Sequence, residues 1–355
     1  MRKRILVVIA GIFYYSGLVA LARWLTQRAG PRVVILNYHS ATGGSFLQHM
    51  QYLRRHYRIM HVEAALEELY AQRKDSTYKS GKRTPLVITL DDGYRDNFTY
   101  AQEIAHDLSA PISIYLIPGY IESGSRFWWL EGKSMARRAQ VEEVAFADRT
   151  FHLKNPEERG ALAQYIDNHA RFATSVTERE EFLASTRALL DLSLAPHEKD
   201  RDDAMLPVNW EQVKAMDEGG WVSFGAHTMH HPILSYLTNP DEVRQEVAEC
   251  RRVLEQKLGH PVRTFAYPVG QAQHIGSDVV QAVRDAGYDW ALTTTYGINT
   301  PQTDPVLLKR IEADVDQHWL VVAAEAAGLW GFISRLRWLP FIRKNFTNAS
   351  RQKGM

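Results

Sequence analysis

Two adjacent carboxylates, Asp91 and Asp92, follow the apolar run 86–88 and precede Gly93. An apolar run rich in β-branched residues and closed by a glycine predicts a buried strand that delivers both carboxylates to its carboxyl end. Because side chains alternate along a strand, one carboxylate can hold a cation while the other faces a substrate. A divalent cation would also keep both acids ionised despite their mutual repulsion. The alternative for this stretch alone is a turn in which Asp-Asp-Gly simply ends the strand.

A second cluster of titratable side chains contains three histidines within five residues. His227 and His231 are four residues apart, so a helical or tight turn would place both on one face, where they could hold a single ion. Pro232 limits any helix there, and His230 lies off that face and is not expected to be a ligand. Two imidazoles and the carboxylate of Asp92 would suit zinc or another borderline divalent metal. Surface histidines that bind no metal are the alternative.

This set of residues could carry out metal-assisted hydrolysis. A divalent metal polarises a carbonyl and lowers the pKa of water, and Asp91, which is not needed as a ligand, is then available as a general base. A third segment, 263–270, has the pattern of a strand that opens into a turn. A backbone N–H near Tyr267 could stabilise an oxyanion there. Taken alone, however, that segment indicates only a strand followed by a turn.

Strand patterns alternate with helical patterns along most of the chain, which favours parallel β-α-β units. Residues from about 122 to 205 interrupt this alternation with charged helical patterns and no obvious strand. We interpret them as a helical insertion packed over the site. Its aromatic run 126–130 either contacts sugar or forms a satellite hydrophobic cluster. The strands are expected near 33–36, 57–61, 86–88, 112–117, 222–225, 262–267, 290–294 and 307–313.

The composition is that of an ordinary globular protein. The chain has 355 residues, of which 45% are hydrophobic and 23% charged, so one large α/β domain with insertions or two smaller domains would fit. A formal net charge of +1 gives no argument for nucleic-acid binding. Cys250 is the single cysteine, which excludes an intrachain disulfide and any cysteine-rich metal site.

Both ends of the chain have features of membrane contact. The run 5–22 carries no formal charge, follows three basic residues and ends near Trp24, which predicts an uncleaved N-terminal anchor at 1–30. The basic start favours an inner-membrane protein whose domain faces the periplasm or exterior, although Arg23, Arg28 and Arg32 on the other flank leave the cytoplasmic face possible. An amphipathic helix that lies on the bilayer or packs on the domain is the alternative. The basic, aromatic tail 316–355 could contact a membrane surface or dock on the domain or a partner.

Together, these motifs resemble those of the polysaccharide deacetylases, which remove N-acetyl groups from sugar polymers with metal-activated water. The sequence Thr-Leu-Asp-Asp-Gly at 89–93 resembles the first motif of that family, His-Thr-Met-His-His at 227–231 the second, and Phe-Ala-Tyr-Pro-Val-Gly at 265–270 the third. The resemblance extends from about 31 to 314, so the deacetylase domain is expected at 31–315.

The resemblance implies a distorted (β/α)7 barrel with its site at the carboxyl ends of the strands. It also implies that Asp92, His227 and His231 bind the metal, most often Zn²⁺ with Co²⁺, Mn²⁺ or Ni²⁺ possible, and that Asp91 is the general base. The backbone at Tyr267 would join the metal in holding the oxyanion.

The chain departs from the family pattern at two places. Many members carry an arginine beside the proline of the third motif, oriented on the catalytic aspartate. This chain has Ala266 there; Arg310 could replace the arginine, and Arg263 is a weaker candidate. The usual late leucine-x-histidine motif of the general acid is also absent, since residues 308–310 contain no histidine. His39, at the end of the first predicted strand, is the best replacement, unless it only packs. This position of a histidine at the end of the first strand resembles the arrangement in deacetylases of extracellular poly-N-acetylglucosamine, where strand order is rearranged.

Two kinds of function remain as alternatives to N-deacetylation of a polysaccharide. The first is an O-acetyl esterase or a deacylase of a lipid-linked sugar, which the same metal centre could serve. The second is a catalytically silent carbohydrate-binding protein of an envelope polysaccharide machine. The complete set of Asp91, Asp92, His227 and His231 argues against the silent protein.

Overall fold

The computed structural model describes residues 2–42, 44–71, 83–192 and 203–329. The helices are α1 (Arg2–Tyr15), α2 (Leu18–Arg28), α3 (Phe46–His56), α4 (Val62–Ala71), α5 (Gln102–Asp107), α6 (Pro118–Ser123), α7 (Trp128–Arg138), α8 (Pro156–Phe172), α9 (Val176–Leu189), α10 (Trp210–Glu218), α11 (Pro240–Leu258), α12 (Ser277–Asp285) and α13 (Trp319–Ala326). The strands are β1 (Val34–Tyr38), β2 (Arg58–Ile59), β3 (Pro85–Leu90), β4 (Ile112–Leu116), β5 (Glu143–Ala145), β6 (Thr150–His152), β7 (Val222–Ala226), β8 (Thr264–Ala266), β9 (Trp290–Tyr296) and β10 (Leu308–Glu312).

Seven parallel strands close into a barrel in chain order, β1-β3-β4-β7-β8-β9-β10, and β10 pairs with β1. The register of β1 on β3 runs from Val34 opposite Leu86 to Tyr38 opposite Leu90. The short strand β2 pairs with the first residues of β3, outside the barrel. This architecture confirms the predicted (β/α)7 barrel. The resemblance to the poly-N-acetylglucosamine deacetylases, based on His39, implied a rearranged strand order. The strands instead follow one another around the barrel in the order of the chain.

Residue alternation in β3 separates the two sides of the barrel wall. Leu86 and Ile88 pack outward in the main core between the strands and the surrounding helices. Val87 packs inward with residues of other strands. With a two-residue period, Thr89 and Asp91 continue the inward face. The strand therefore aims Asp91 into the upper interior of the barrel.

The segment predicted as a helical insertion folds into α6–α9 with a core of its own. This core includes Phe127, Phe151, Leu162 and Leu183, and it meets the barrel at Tyr94. One feature of the segment differs from the prediction, because β5 and β6 form a small antiparallel hairpin where no strand was expected.

The N-terminal apolar run is two helices rather than one. Gly17, with a φ of 83°, separates α1 from α2, and the two helices are bent by 68°. Among the described residues, no single helix is long and apolar enough to cross a membrane, although this bent pair meets the length and composition criteria when both helices are taken together. Most of the basic, aromatic tail, from residue 330 onward, lies outside the described residues.

Candidate active site

Asp92, His227 and His231 meet at the carboxyl ends of β3 and β7. The Nε2 atoms of His227 and His231 lie 3.5 and 3.7 Å from Oδ1 of Asp92, and the three side chains are buried. The potential ligand atoms all lie within 4.8 Å of one another. Sequence analysis proposed these three side chains as metal ligands, and the fold brings them together from segments about 135 residues apart.

The geometry fits a cation. Two ligands about 2.1 Å from a tetrahedral metal lie about 3.4 Å apart, close to the separations between Asp92 and each imidazole. Nδ1 of His227 is 2.7 Å from the carbonyl oxygen of Ala266, which can only accept a hydrogen bond, so Nδ1 carries the proton. Nε2 then has a free lone pair on the side that faces Asp92. Burial holds the pKa of His231 well below its usual value, which keeps that imidazole neutral, as a ligand must be.

A strained turn, not a helix, carries the second histidine motif. Thr228 and His231 have φ values of 66° and 56°, and the hydroxyl of Thr228 accepts a hydrogen bond of 2.9 Å from the backbone N–H of His231. Such conformations persist only where the surrounding structure enforces them. His230 points away and binds the buried Glu246, with Nδ1 2.6 Å from Oε1. The turn thus separates His230 from the two imidazoles that face Asp92.

Asp91 is not needed as a ligand and is bound by Arg310. Nη1 of Arg310 lies 2.8 Å from Oδ1 of Asp91, and Nη2 lies 2.9 Å from Oδ2. Nη1 also donates to Asn37, and Nε donates to the carbonyl oxygen of Thr293. Burial alone would raise the pKa of Asp91, but Arg310 and the nearby imidazoles outweigh it and hold that pKa well below its usual value. Asp91 is therefore a buried carboxylate that stays ionised.

Arg310 binds Asp91, as expected of a substitute for the family arginine, whereas Tyr267 differs from its expected role. Arg310 is 1% exposed, so it orients Asp91 and does not contact a substrate directly. The backbone N–H of Tyr267 donates to the carbonyl oxygen of Leu292 within the barrel. The hydroxyl of Tyr267 donates to the carbonyl oxygen of Val306. The expectation that Tyr267 supplies an oxyanion donor is wrong, since both of its donors are already used. Arg263, the weaker arginine candidate, makes surface ion pairs away from the site.

His39 is exposed at the end of β1, beside the two carboxylates. Burial raises the pKa of Asp92, and the electrostatic influence of His39 on both Asp91 and Asp92 shows that it lies on the same side of the barrel as they do. The loop that follows is held by buried Asp96, whose Oδ2 accepts hydrogen bonds from Ser40 and from both the backbone and the hydroxyl of Thr42.

Sequence analysis did not identify the residues that surround the three candidate ligands. Trp129 donates from Nε1 to the hydroxyl of Tyr94, 2.8 Å away, and that hydroxyl faces the carboxylate of Asp92. The ring of Trp129 also lies 4.5 Å from that of His231, measured between centroids. Trp128 donates from Nε1 to the carbonyl oxygen of His231 at 3.0 Å. The aromatic run 126–130 was the available signal, although its contact with the histidine motif could not be read from its composition.

Comparisons with known proteins agree with this architecture. Residues 197–291 match the family model described as polysaccharide deacetylase. The fold is similar to that of the deacetylase PplD of Streptococcus pyogenes in complex with acetate, with a TM-score of 0.54 and 17% identity over 84% of this chain and 99% of that one. It is also similar to IcaB from Ammonifex degensii, with a TM-score of 0.54 and 18% identity over 84% of this chain and 98% of that one.

A third solved structure, the deacetylase domain of BpsB from Bordetella bronchiseptica, has a TM-score of 0.50 and 14% identity, covering 80% of this chain and 96% of that one. At these identities, the structures establish the fold. Among curated protein sequences, none matches the chain. The family match includes the second and third motifs, and the barrel contains the first. Residues 197–291 therefore match the polysaccharide deacetylase family, and the barrel that contains them has the fold of solved deacetylases.

Proposed function

We propose that the chain removes N-acetyl groups from a polysaccharide containing N-acetylhexosamine and releases acetate. One observation carries the proposal: an ionised, arginine-bound carboxylate, Asp91, lies beside the cluster of Asp92, His227 and His231 without being part of it. This is the division between base and ligands that amide hydrolysis requires. The position of His39 at the end of β1, which resembles the arrangement in deacetylases of extracellular poly-N-acetylglucosamine, favours that type of polymer.

Asp92, His227 and His231 would hold a divalent metal, with Zn²⁺ the first choice and Co²⁺, Mn²⁺ or Ni²⁺ as alternatives. Such a metal would polarise the amide carbonyl and lower the pKa of water at this place. The chain supplies the remaining functions. Asp91 accepts the proton of the attacking water, and Arg310 keeps its carboxylate ionised and fixed in orientation. His39, exposed at the end of β1, would protonate the departing sugar amine.

The surroundings of the site suit a sugar ring. Trp129 is only partly buried, and its ring lies against His231 at the edge of the candidate ligands. An aromatic face beside a polar cluster can stack on the apolar face of a hexosamine while the acetamide reaches the carboxylates. We also propose that residues 31–315 form the catalytic unit, that 1–30 associates with a membrane, and that 316–355 is an accessory tail.

Acetate release tests this function. Purified protein, stripped with chelator and reloaded with Zn²⁺ or Co²⁺, should release acetate from N-acetylglucosamine oligomers, and the stripped protein should not. The Asp91→Asn variant should bind the same amount of metal and lose about 10³-fold in turnover. Near-normal turnover in this variant would rule out Asp91 as the base. Release from O-acetylated but not N-acetylated oligomers would indicate the esterase, and no release from either substrate would indicate the silent binding protein.

A further inference from the structure

The N-terminal helix pair has one face packed on the barrel domain. Ala10 and Val19 are buried in the main core. The ring of Tyr14 packs edge-on against Trp319 at a centroid distance of 5.0 Å, and Gly11 lies close to Leu320. This inner face of α1 and α2 is therefore occupied by α13 and its neighbours.

The opposite face of the same two helices is apolar and exposed. Of the thirteen large apolar side chains that the described residues expose, eight lie on this helix pair. We call these eight residues the outer apolar face: Ile5, Val8, Ile12, Tyr15, Leu18, Leu21, Trp24 and Leu25, with exposed fractions between 41% and 78%. Apart from the adjacent pair Trp24 and Leu25, they recur at intervals of three or four residues, so each helix presents a stripe. A contiguous stripe of this kind marks an interaction surface.

A basic cavity adjoins this face. It has a volume of about 260 Å³, several times the ~30 Å³ that a water molecule occupies in the liquid. None of the described residues that line it is acidic, and Arg23, Arg55 and Arg83 come to it from three separate segments. We call it the arginine pocket; its other lining residues are Ala20, Trp24, Gln27, His56, Tyr57 and Thr84. Trp24 belongs both to this pocket and to the outer apolar face.

The positive charge in the pocket acts on its own histidine. Burial, with the charges of Arg23, Arg55 and Arg83, lowers the pKa of His56 to about 4. His56 therefore stays neutral near pH 7 and adds a hydrogen-bonding group without adding a charge. Three guanidinium groups around a cavity form a favourable site for a phosphate.

The geometry excludes a straight membrane span by these helices. Helices of 14 and 11 residues are about 21 and 17 Å long, against a hydrocarbon core of about 30 Å. The bend of 68° and the packed inner face keep the pair beside the domain. An apolar stripe flanked by arginines suits a helix that lies in the plane of the interface, where anionic lipids attract the cations.

We propose that the outer apolar face docks in the plane of a lipid bilayer, with the phosphate headgroup of an anionic phospholipid in the arginine pocket. The acyl chains would then lie against the apolar side chains, and the headgroup would be held by Arg23, Arg55 and Arg83. This arrangement differs from the predicted transmembrane anchor. It does not depend on the proposed deacetylase activity.

The location of the pocket fits a docked enzyme whose active site stays open. Arg83 and Thr84 immediately precede β3, and Asp91 and Asp92 follow it. A strand of six residues spans about 20 Å, so the pocket and the candidate ligands lie toward opposite ends of the barrel. Docking through the helix pair would leave the mouth of the barrel free for a polymer.

Vesicle flotation with the full chain tests the proposal. The protein should float with phosphatidylcholine vesicles that contain 30% phosphatidylglycerol, bind pure phosphatidylcholine vesicles much more weakly, and dissociate as NaCl rises from 0.1 to 0.5 M. Removing two pocket charges with Arg55→Ala and Arg83→Ala should weaken binding roughly thirtyfold. The control, Lys133→Ala with Lys214→Ala, removes the same charge at exposed positions elsewhere and should bind normally.

The apolar face is tested separately. Val8→Asp with Ile12→Asp should abolish flotation, whereas Phe172→Asp, at an exposed apolar residue of the insertion, should not change it. Folding of each variant is checked by its thermal transition. Equal binding to neutral and anionic vesicles would overturn the headgroup site. A protein that floats with neither kind of vesicle would overturn the docking proposal. This holds for a monomer and equally for a dimer in which a second copy covers the outer apolar face.

Discussion

Arg310 and Asp91 form a buried bidentate ion pair that joins the last strand of the barrel to the carboxyl end of β3. A lysine at this position would keep the charge but lose the planar fork that fixes both carboxylate oxygens. We expect Arg310→Lys to lower kcat about a hundredfold with metal content unchanged, because the base is no longer held in place. The acid limb of the pH–rate profile should move to higher pH, since the pKa of Asp91 rises when the paired hydrogen bonds are lost.

The control for this variant is Arg263→Lys, whose ion pairs with Glu67 and Asp289 lie on the surface. It should have wild-type kinetics. If Arg310→Lys keeps both its turnover and its pH profile, the ion pair has no part in orienting the base.

The role of His39 can be separated from metal binding by the choice of leaving group. Because His39 is exposed, His39→Gln should fold normally. We expect kcat on an N-acetyl substrate to fall by about 10²-fold, because the amine must be protonated as it leaves. On 4-nitrophenyl acetate, whose leaving group needs no proton, the loss should be small. His106→Gln, at an exposed histidine of α5, is the matched control. An equal loss on both substrates would contradict a role as general acid.

Tyr94 and Trp129 couple the insertion to the candidate ligand Asp92. Groups that hydrogen-bond to metal ligands typically contribute 10- to 100-fold to metal affinity. We therefore expect Tyr94→Phe to weaken Zn²⁺ binding by about tenfold, measured by competition with a chromogenic chelator. Tyr165→Phe, which removes a hydroxyl bound to Asp148 on the surface of the insertion, should bind Zn²⁺ normally. Unchanged affinity in Tyr94→Phe would show that this contact does not act on the ligand.

Glu325 on α13 should make stability depend on pH. It is 7% exposed, and burial, together with the charge of Glu312, raises its pKa to about 8. Between pH 4.5 and 8, the folded chain holds a proton that the unfolded chain has released, so the free energy of unfolding falls as pH rises. The total effect is up to about 5 kcal/mol at 1.36 kcal/mol per pH unit.

Urea denaturation of Glu325→Gln at pH 5 and pH 8 checks this expectation. The variant should lose less stability than the wild type between the two pH values, because glutamine carries no titrating proton. Glu103→Gln, at an exposed position of α5, should follow the wild type. Parallel pH dependences in wild type and Glu325→Gln would mean that Glu325 is ionised in the folded protein.

The sequence was most informative where local pattern and chemistry coincide. The apolar run ending in Asp91 and Asp92 located β3 and its carboxylates, and the spacing of His227 and His231 indicated a shared face. These features depend only on neighbouring residues. The hairpin of β5 and β6 was missed because each strand has three residues with alternate side chains exposed, a pattern too short to separate from a loop.

Features that depend on distant pairing could not be read from the sequence. The N–H of Tyr267 was expected to be free because its strand was assigned without a partner, yet β9 supplies Leu292 as its acceptor. The contact of Trp128 with His231 joins residues 103 positions apart. The break at Gly17 had a local signal, since Ser16-Gly17 interrupts the apolar run, but the run was interpreted by its length.

Closure of the barrel between its first and last strands also bears on how the protein folds. Arg310 meets Asn37 across 273 positions of sequence and meets Asp91 across 219, so neither contact can form until nearly the whole barrel has been synthesised and assembled. The residues proposed to bind the cation all precede β9, as does Ala266, whose carbonyl oxygen orients His227, so a chain folded only through β8 could already bring them together. A partly folded enzyme could therefore capture metal before it acquires a positioned base, and activity would appear later in refolding than metal uptake.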